Sequence, residues 1–276
     1  MVNFRRLSPF VADSRANRVG RFLVAKLAEG DDGTRWLYIF GPTEAGAQIE
    51  MVGGSACVAV EPNDQFVADY SHCYRFDEGL PQDVLDLVRL LEEVFSLTRR
   101  SSLDCAIALD WYKKPHPDLD PQQWPNTDVG ELVYRAKYYT SNDAKRREAA
   151  GELLRRVVAV VQSHPLYRDA PIIVTVPGHK ADGNSVGEGF ARAVGRETKK
   201  LVVETISVNG ARPASKEGAS GSLRDAFKMP QTLSGDVIVI DDVYRSGETM
   251  SSVALAARRA GAQRVFGLVA VRTLRN

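Results

Sequence analysis

Residues Val237 to Thr249, VIVIDDVYRSGET, carry the densest chemistry in the chain. Four consecutive β-branched residues read as a strand buried on both faces. Asp241 and Asp242 come at its C-terminal end, where open α/β sheets bind ligands. Ser246, Gly247, Glu248 and Thr249 then form a short loop that turns directly into a helix. Its backbone N–H groups, the Ser246 and Thr249 hydroxyls and the positive end of the helix dipole can converge on one phosphate, while Gly247 permits close approach. Carboxylates beside a phosphate cradle are at odds for a bare anion. They agree for a sugar phosphate, whose hydroxyls donate to Asp241 and Asp242 while its phosphate sits in the loop. As a bare pattern the acidic pair also suits a Walker B strand, a phospho-acceptor receiver domain, or carboxylates that cap a helix or are solvated in a loop. No G-x-x-x-x-G-K-[ST] loop accompanies it.

The elements around this string alternate. After residue 126, helices are expected over Val129 to Tyr139, Asp143 to Ser163, about Ser185 to Val194, and Thr249 to Ala260. Ser185 and Glu188 have capping-box spacing, and Gly261 stands just past the last helix. Strands are expected over Ile172 to Val176, Leu201 to Ser207, Val237 to Ile240 and Val265 to Val271, with loops at 209 to 222 and 241 to 248. Such alternation builds a parallel sheet with right-handed crossovers. The first part reads as mixed α+β. Strands are expected at Arg21 to Ala28, Arg35 to Phe40, Ala56 to Val60, Gln65 to Phe76 and Cys105 to Leu109, with a helix from Pro81 to about Thr98. Residues 113 to 126, KKPHPDLDPQQWPN, contain four prolines and read as a linker between a domain at 1–125 and another at 126–276.

Length and composition bound the answer. The 276 residues are 44% hydrophobic and 26% charged, which excludes a disordered or fibrous chain. Three cysteines are too few for a disulfide framework, and no stretch is apolar enough to span a membrane, so a cytoplasmic enzyme or binding protein is expected. The first 125 residues carry 13 basic and 19 acidic side chains, and the remainder 23 and 16. A positive C-terminal half suits a polyanionic ligand, a phosphorylated metabolite or nucleic acid; attraction between the two halves is the alternative.

The 237–249 string resembles the phosphoribosyl-pyrophosphate (PRPP) signature of type I phosphoribosyltransferases. The region from about 129 to 276 is most similar to the ComF-like, competence-associated branch. Three further segments carry that likeness in order: Glu131 to Tyr138, similar to an opening helix with a "lhhKY" pattern; Val174 to Lys180, similar to a "VPVPxxK" strand and pyrophosphate loop; and Asp225 to Phe227, similar to a "gAF" run. The resemblance implies an α/β fold with a type I phosphoribosyltransferase-like parallel sheet flanked by helices. It implies that Asp241 and Asp242 bind the ribose hydroxyls. Val243, Tyr244, Arg245, Ser246, Gly247, Glu248 and Thr249 would hold the 5′-phosphate, and Pro177, Gly178, His179 and Lys180 would approach pyrophosphate. Asp241, Asp242 and Lys180 are thus the expected catalytic residues. Mg²⁺ is the expected cofactor, held mainly through pyrophosphate and ribose rather than by a dedicated protein site. Departures from the pattern are Arg245-Ser246 in place of Thr-Thr, a poor match to "RGFNQ" at Asn184 to Phe190, and Ala219 to Ser222 in place of "RxxN". Arg212, Lys216 and Arg224 are the basic residues left nearby.

Two functions follow as expectations. One is a PRPP-dependent phosphoribosyltransferase with an unknown acceptor. The other is a non-catalytic module that senses PRPP or a nucleotide in a DNA-linked pathway, with nucleic acid or a second copy of the chain as candidate partners and no membrane. Cys57, Cys73 and Cys105 lack C-x-x-C spacing for zinc. Trp111, Tyr112 and Trp124 near the prolines suit packing better than base stacking, and Lys145, Arg146, Arg147, Arg155 and Arg156 suit a solvated helix face.

Overall fold

Leu37 and Ile39 alternate with Tyr38 along Arg35–Phe40, and the strand they make is central to an antiparallel sheet. In chain order the first elements are β1 (Ala16–Asn17), β2 (Arg21–Ala25), β3 (Arg35–Phe40), α1 (Thr43–Gly53), β4 (Val58–Val60), β5 (His72–Phe76), α2 (Gln82–Glu93), β6 (Phe95–Leu97) and β7 (Cys105–Trp111). The order β2-β3-β5-β4 forms the four-stranded sheet, with Leu37, Ile39, Tyr74 and Phe76 in the core and Tyr38 against Phe66 and Tyr70 on the other face. The structure, a computed structural model, describes residues 16–26, 32–98, 102–138, 142–212 and 223–273.

The later elements are α3 (Asp128–Tyr138), α4 (Asp143–Ser163), α5 (Pro165–Asp169), β8 (Ile172–Thr175), α6 (Val186–Thr198), β9 (Leu201–Val203), β10 (Ile206–Ser207), β11 (Phe227–Lys228), β12 (Val237–Tyr244), α7 (Glu248–Arg259) and β13 (Val265–Arg272). A seven-stranded sheet runs β1-β6-β7-β13-β12-β8-β9. The five strands from β7 to β9 are parallel, as expected, whereas β6 and β1 add antiparallel at one edge, so the sheet is mixed. Side-chain alternation places Ile238, Ile240, Phe266 and Leu268 in a core with α4 and α6, and Val237, Val239 and Val265 in a second core with α7.

Several expected boundaries move, each for a local reason. Helix α1 was not foreseen, because Gly46 and Gly53 interrupt a pattern whose buried members are Ala45 and Ile49. The expected strand from Gln65 begins only at His72, after a turn at 63–70 closed by Asn63, whose carbonyl accepts from Phe66 and Val67. Helix α2 stops at Glu93 rather than near Thr98, since Phe95 and Ser96 pair with Ala108 and Ile107. The strand expected over Leu201 to Ser207 divides, because the Thr205 hydroxyl donates to the Thr175 carbonyl (2.7 Å) and Ile206–Ser207 pairs instead with Phe227–Lys228. Residues 113–126 close on themselves: Lys114 N–H donates to Pro125 O (2.8 Å), and the Trp124 indole to the carbonyls of His116 and Leu119. The expectations for Ala28, Tyr139, Lys216 and Ala219 to Ser222 lie outside the described residues.

A buried polar chain joins the two sheets' supporting helices. Gln48 of α1 donates to the Ser96 hydroxyl (3.0 Å), and its carbonyl oxygen meets His164 Nε2 at 3.0 Å. His164 is wholly buried against Tyr167, which holds its pKa down at about 3.

Candidate functional site

The last paired residues of β8 and β12 are Thr175 and Ile240, yet β12 continues beside β13 through Tyr244. Asp241 and Asp242 therefore lie inside the strand rather than in a loop after it, on a stretch that has lost its β8 neighbour. The gap opens into a cavity of about 1060 Å³. Into it face residues 176–180 after β8, residues 241–249 on β12 and at the start of α7, and α3. All thirteen residues singled out in the sequence line this one cavity.

The acidic pair is asymmetric. Asp241 Oδ1 accepts from the Asp242 N–H at 2.8 Å, and Gly187 at the start of α6 comes so close that an added Cβ would stand 2.9 Å from that oxygen. Burial first, and then the charge of Asp242, push the Asp241 carboxyl well above the usual carboxylate range, against the pull of Lys137. Asp242 is 8% exposed and its Oδ2 accepts from Lys137 Nζ at 2.6 Å. Burial lowers Lys137, but Asp242 more than offsets this and leaves the ammonium raised. One cation thus stands across from two carboxyls, whose oxygens can accept from a vicinal diol.

The loop after β12 is built around its glycine. Gly247 has φ +74°, and a Cβ there would overlap the Tyr244 hydroxyl. Tyr244 is buried, with the Arg272 guanidinium 5.1 Å above its ring, so the loop rests on a packed floor. Gly247 is also the N-cap of α7, whose dipole points into the cavity; the Glu248 N–H donates to Ser246 Oγ at 3.4 Å.

The facing loop hangs from a capping box. Glu188 Oε2 accepts from the Ser185 N–H (3.1 Å), the Ser185 hydroxyl (2.6 Å) and the Gly178 N–H (3.3 Å), tying residues 177–180 to α6. On the other side, Arg212 donates from Nη2 to Pro177 O (2.6 Å) and from its backbone N–H to His179 O (2.8 Å). Both bonds tie the 177–180 loop to Arg212. Arg212 Nη1 is buried without a hydrogen-bond partner, and its guanidinium packs on Phe227 at 4.8 Å. His179 and Lys180 are exposed at the rim.

Lys137 joins the site without having been assigned to it in advance, and Arg212, named in the sequence only as a basic residue nearby, takes a defined place in it. The signal for Lys137 was the "KY" of the 131–138 segment, read only as part of a helix. Tyr112, Trp124, Tyr134 and Tyr138 add aromatic rings to the lining of the cavity that the 177–180 and 244–249 loops share. Burial, then the neighbouring Tyr138, pushes the Tyr112 hydroxyl up to about 12. Among the described residues, no group of three or more His, Cys, Asp and Glu side chains is placed to hold a metal ion, and no helix is long and apolar enough to cross a membrane.

Solved phosphoribosyltransferases are similar to this chain. An orotate phosphoribosyltransferase from Aeropyrum pernix matches at 17% identity over 46% of this chain and 60% of its own length, with a TM-score of 0.30. A purine phosphoribosyltransferase from Pyrococcus horikoshii matches at 15% identity over 44% of this chain and 82% of its own, with a TM-score of 0.27. The adenine phosphoribosyltransferase of Leishmania tarentolae matches at 13% identity over 60% of this chain and 91% of its own, with a TM-score of 0.36. No family model and no curated protein matches the chain.

Proposed function

We propose that the chain is a PRPP-dependent phosphoribosyltransferase of the ComF-like kind, transferring ribose 5-phosphate to an acceptor with release of pyrophosphate. The observation that carries this reading is the meeting of the acidic pair, the 244–249 loop and the 177–180 loop in one cavity of about 1060 Å³. Asp241 and Asp242 would take the ribose hydroxyls, and Ser246 to Thr249 the 5′-phosphate. Lys180 and the buried, unpartnered Nη1 of Arg212 would face pyrophosphate. As the bond to pyrophosphate breaks, positive charge grows on the ribose over the carboxyls and negative charge on the leaving group beside the cations, so each side stabilises the charge it faces. Since the described residues offer no protein cage, Mg²⁺ would be held by the diphosphate and ribose oxygens with at most the Asp241–Asp242 pair, which suits an ion that keeps several waters. Its chemistry would be to neutralise the departing charge. The acidic first 125 residues would cover the acceptor, since Tyr112, Lys113, Trp124 and Pro125 line the same cavity. Cys57, Cys73 and Cys105 stand outside any disulfide, which suits a cytoplasmic setting.

The test is pyrophosphate release from PRPP and Mg²⁺ with a panel of nucleobases and amines, paired with PRPP titration of the Asp241→Asn, Asp242→Asn double variant. Release by the wild type and about tenfold weaker PRPP binding by a folded double variant are expected. An unchanged titration removes the site. Nucleotide binding without release under any acceptor replaces the enzyme with the sensing module.

A further inference from the structure

The acidic pair of β12 already holds a cation, and that cation belongs to the chain. Lys137 Nζ lies 2.6 Å from Asp242 Oδ2, across 105 residues of sequence. On the same helix Arg135 pairs with Glu131 one turn back and stays on the surface, as most helix charges do. Lys137 instead lines the cavity. Its helix is fixed against the end of β7: the Thr127 hydroxyl donates to the Trp111 carbonyl, and an added Cβ at Gly130 would overlap the Tyr112 carbonyl oxygen. The ammonium also stands 5.9 Å from the centre of the Tyr138 ring.

Each carboxyl thereby has one oxygen engaged, Asp241 Oδ1 by the Asp242 N–H at 2.8 Å and Asp242 Oδ2 by Lys137. One oxygen of each is left, enough for two neighbouring hydroxyls that each give one hydrogen bond. A divalent ion asks for something else: carboxylates whose charge is not already balanced, and room for the waters that it keeps. The ammonium at 2.6 Å removes the first condition. The second is hardly met, with Asp242 8% exposed and an added Cβ at Gly187 only 2.9 Å from Asp241 Oδ1.

We infer that Lys137 is a specificity-determining residue, which keeps divalent cations off Asp241 and Asp242 and reserves the pair for hydroxyl groups. Resting on the proposed transferase reading, Mg²⁺ then reaches the site only when carried by the diphosphate of PRPP.

Mn²⁺, which suits the same oxygen ligands as Mg²⁺, tests this when titrated into the full chain at pH 8 with its free fraction read by electron paramagnetic resonance. Wild type should show no saturable site tighter than about 1 mM. Lys137→Met should gain one site at least about tenfold tighter, absent from the Lys137→Met, Asp242→Asn double variant. Lys137→Arg, which restores the charge, should bind Mn²⁺ as weakly as wild type. Equal Mn²⁺ binding by wild type and a folded Lys137→Met chain overturns the inference. So does a wild-type site that Asp242→Asn removes, a result that stands whether or not the lysine variants fold. By calorimetry, PRPP should bind wild type at least about tenfold more tightly with Mn²⁺ than without it. Equal or absent PRPP binding overturns carriage by the diphosphate, whereas a Mn²⁺ site gained in Lys137→Met still supports the exclusion of metal from the pair.

Discussion

Lys137→Met keeps the length of the side chain and removes the cation paired with Asp242 of β12. In the native chain the ammonium lies 2.6 Å from Asp242 Oδ2, with the two side chains 31% and 11% exposed. Removing one partner of a fully buried pair costs about 3–5 kcal/mol. Lys137 keeps nearly a third of its exposure, so solvent screening reduces the expected loss to about 1–3 kcal/mol at pH 8. The pH dependence is more diagnostic. Asp241 is already raised above 3.8 by burial and by Asp242, and Lys137 opposes that rise. Without the lysine, the carboxyl pair takes up a proton more readily in the folded state. A carboxyl raised on folding contributes stability that is fully present below its unfolded value and lost as pH rises through its folded value. The deficit of the variant should therefore be largest at pH 8 and shrink to under about 1 kcal/mol at pH 4.5. Urea unfolding at the two pH values measures it, and the Lys137→Met, Asp242→Asn double variant should recover most of the loss at pH 8. A deficit equal at both pH values would refute the electrostatic account.

Gly247→Ala should cost about 1–2 kcal/mol of stability for the left-handed backbone alone, and the overlap with Tyr244 should weaken ribose 5-phosphate binding about tenfold. Thermal unfolding and calorimetry check both; unchanged ribose 5-phosphate affinity would free the loop from its phosphate role. His164 is neutral and buried, with a folded pKa of about 3 against 6.5 unfolded. Its contribution is complete above 6.5 and lost as pH falls toward 3, roughly 2 kcal/mol by pH 5. Unfolding free energies between pH 7 and 5 should slope less in His164→Leu than in wild type, and coincident slopes would count against that assignment.

The parallel sheet and its helices were legible because β8, β12 and β13 are unbroken β-rich runs and α4 has a long apolar stripe. The capping box of α6 was equally plain in Ser185 and Glu188. Strands β1 and β6 were not, since two or three residues are too few for a period and their pairing with β7 is a long-range event. The end of β12 was misplaced because two aspartates look like a terminus. Pairing of Val243 with Val271 and Tyr244 with Arg272 overrides that local signal. Local order also hid Lys137 from the site, since it sits 105 residues from the carboxylate it meets.

The four residues by which β12 outruns β8 place the acidic pair beyond the β8 ladder, on a stretch paired with β13 alone. Insertions or exchanges between 176 and 185 leave every backbone pair of the sheet intact. Residues along that loop can therefore change at little expense to the pairing of the sheet.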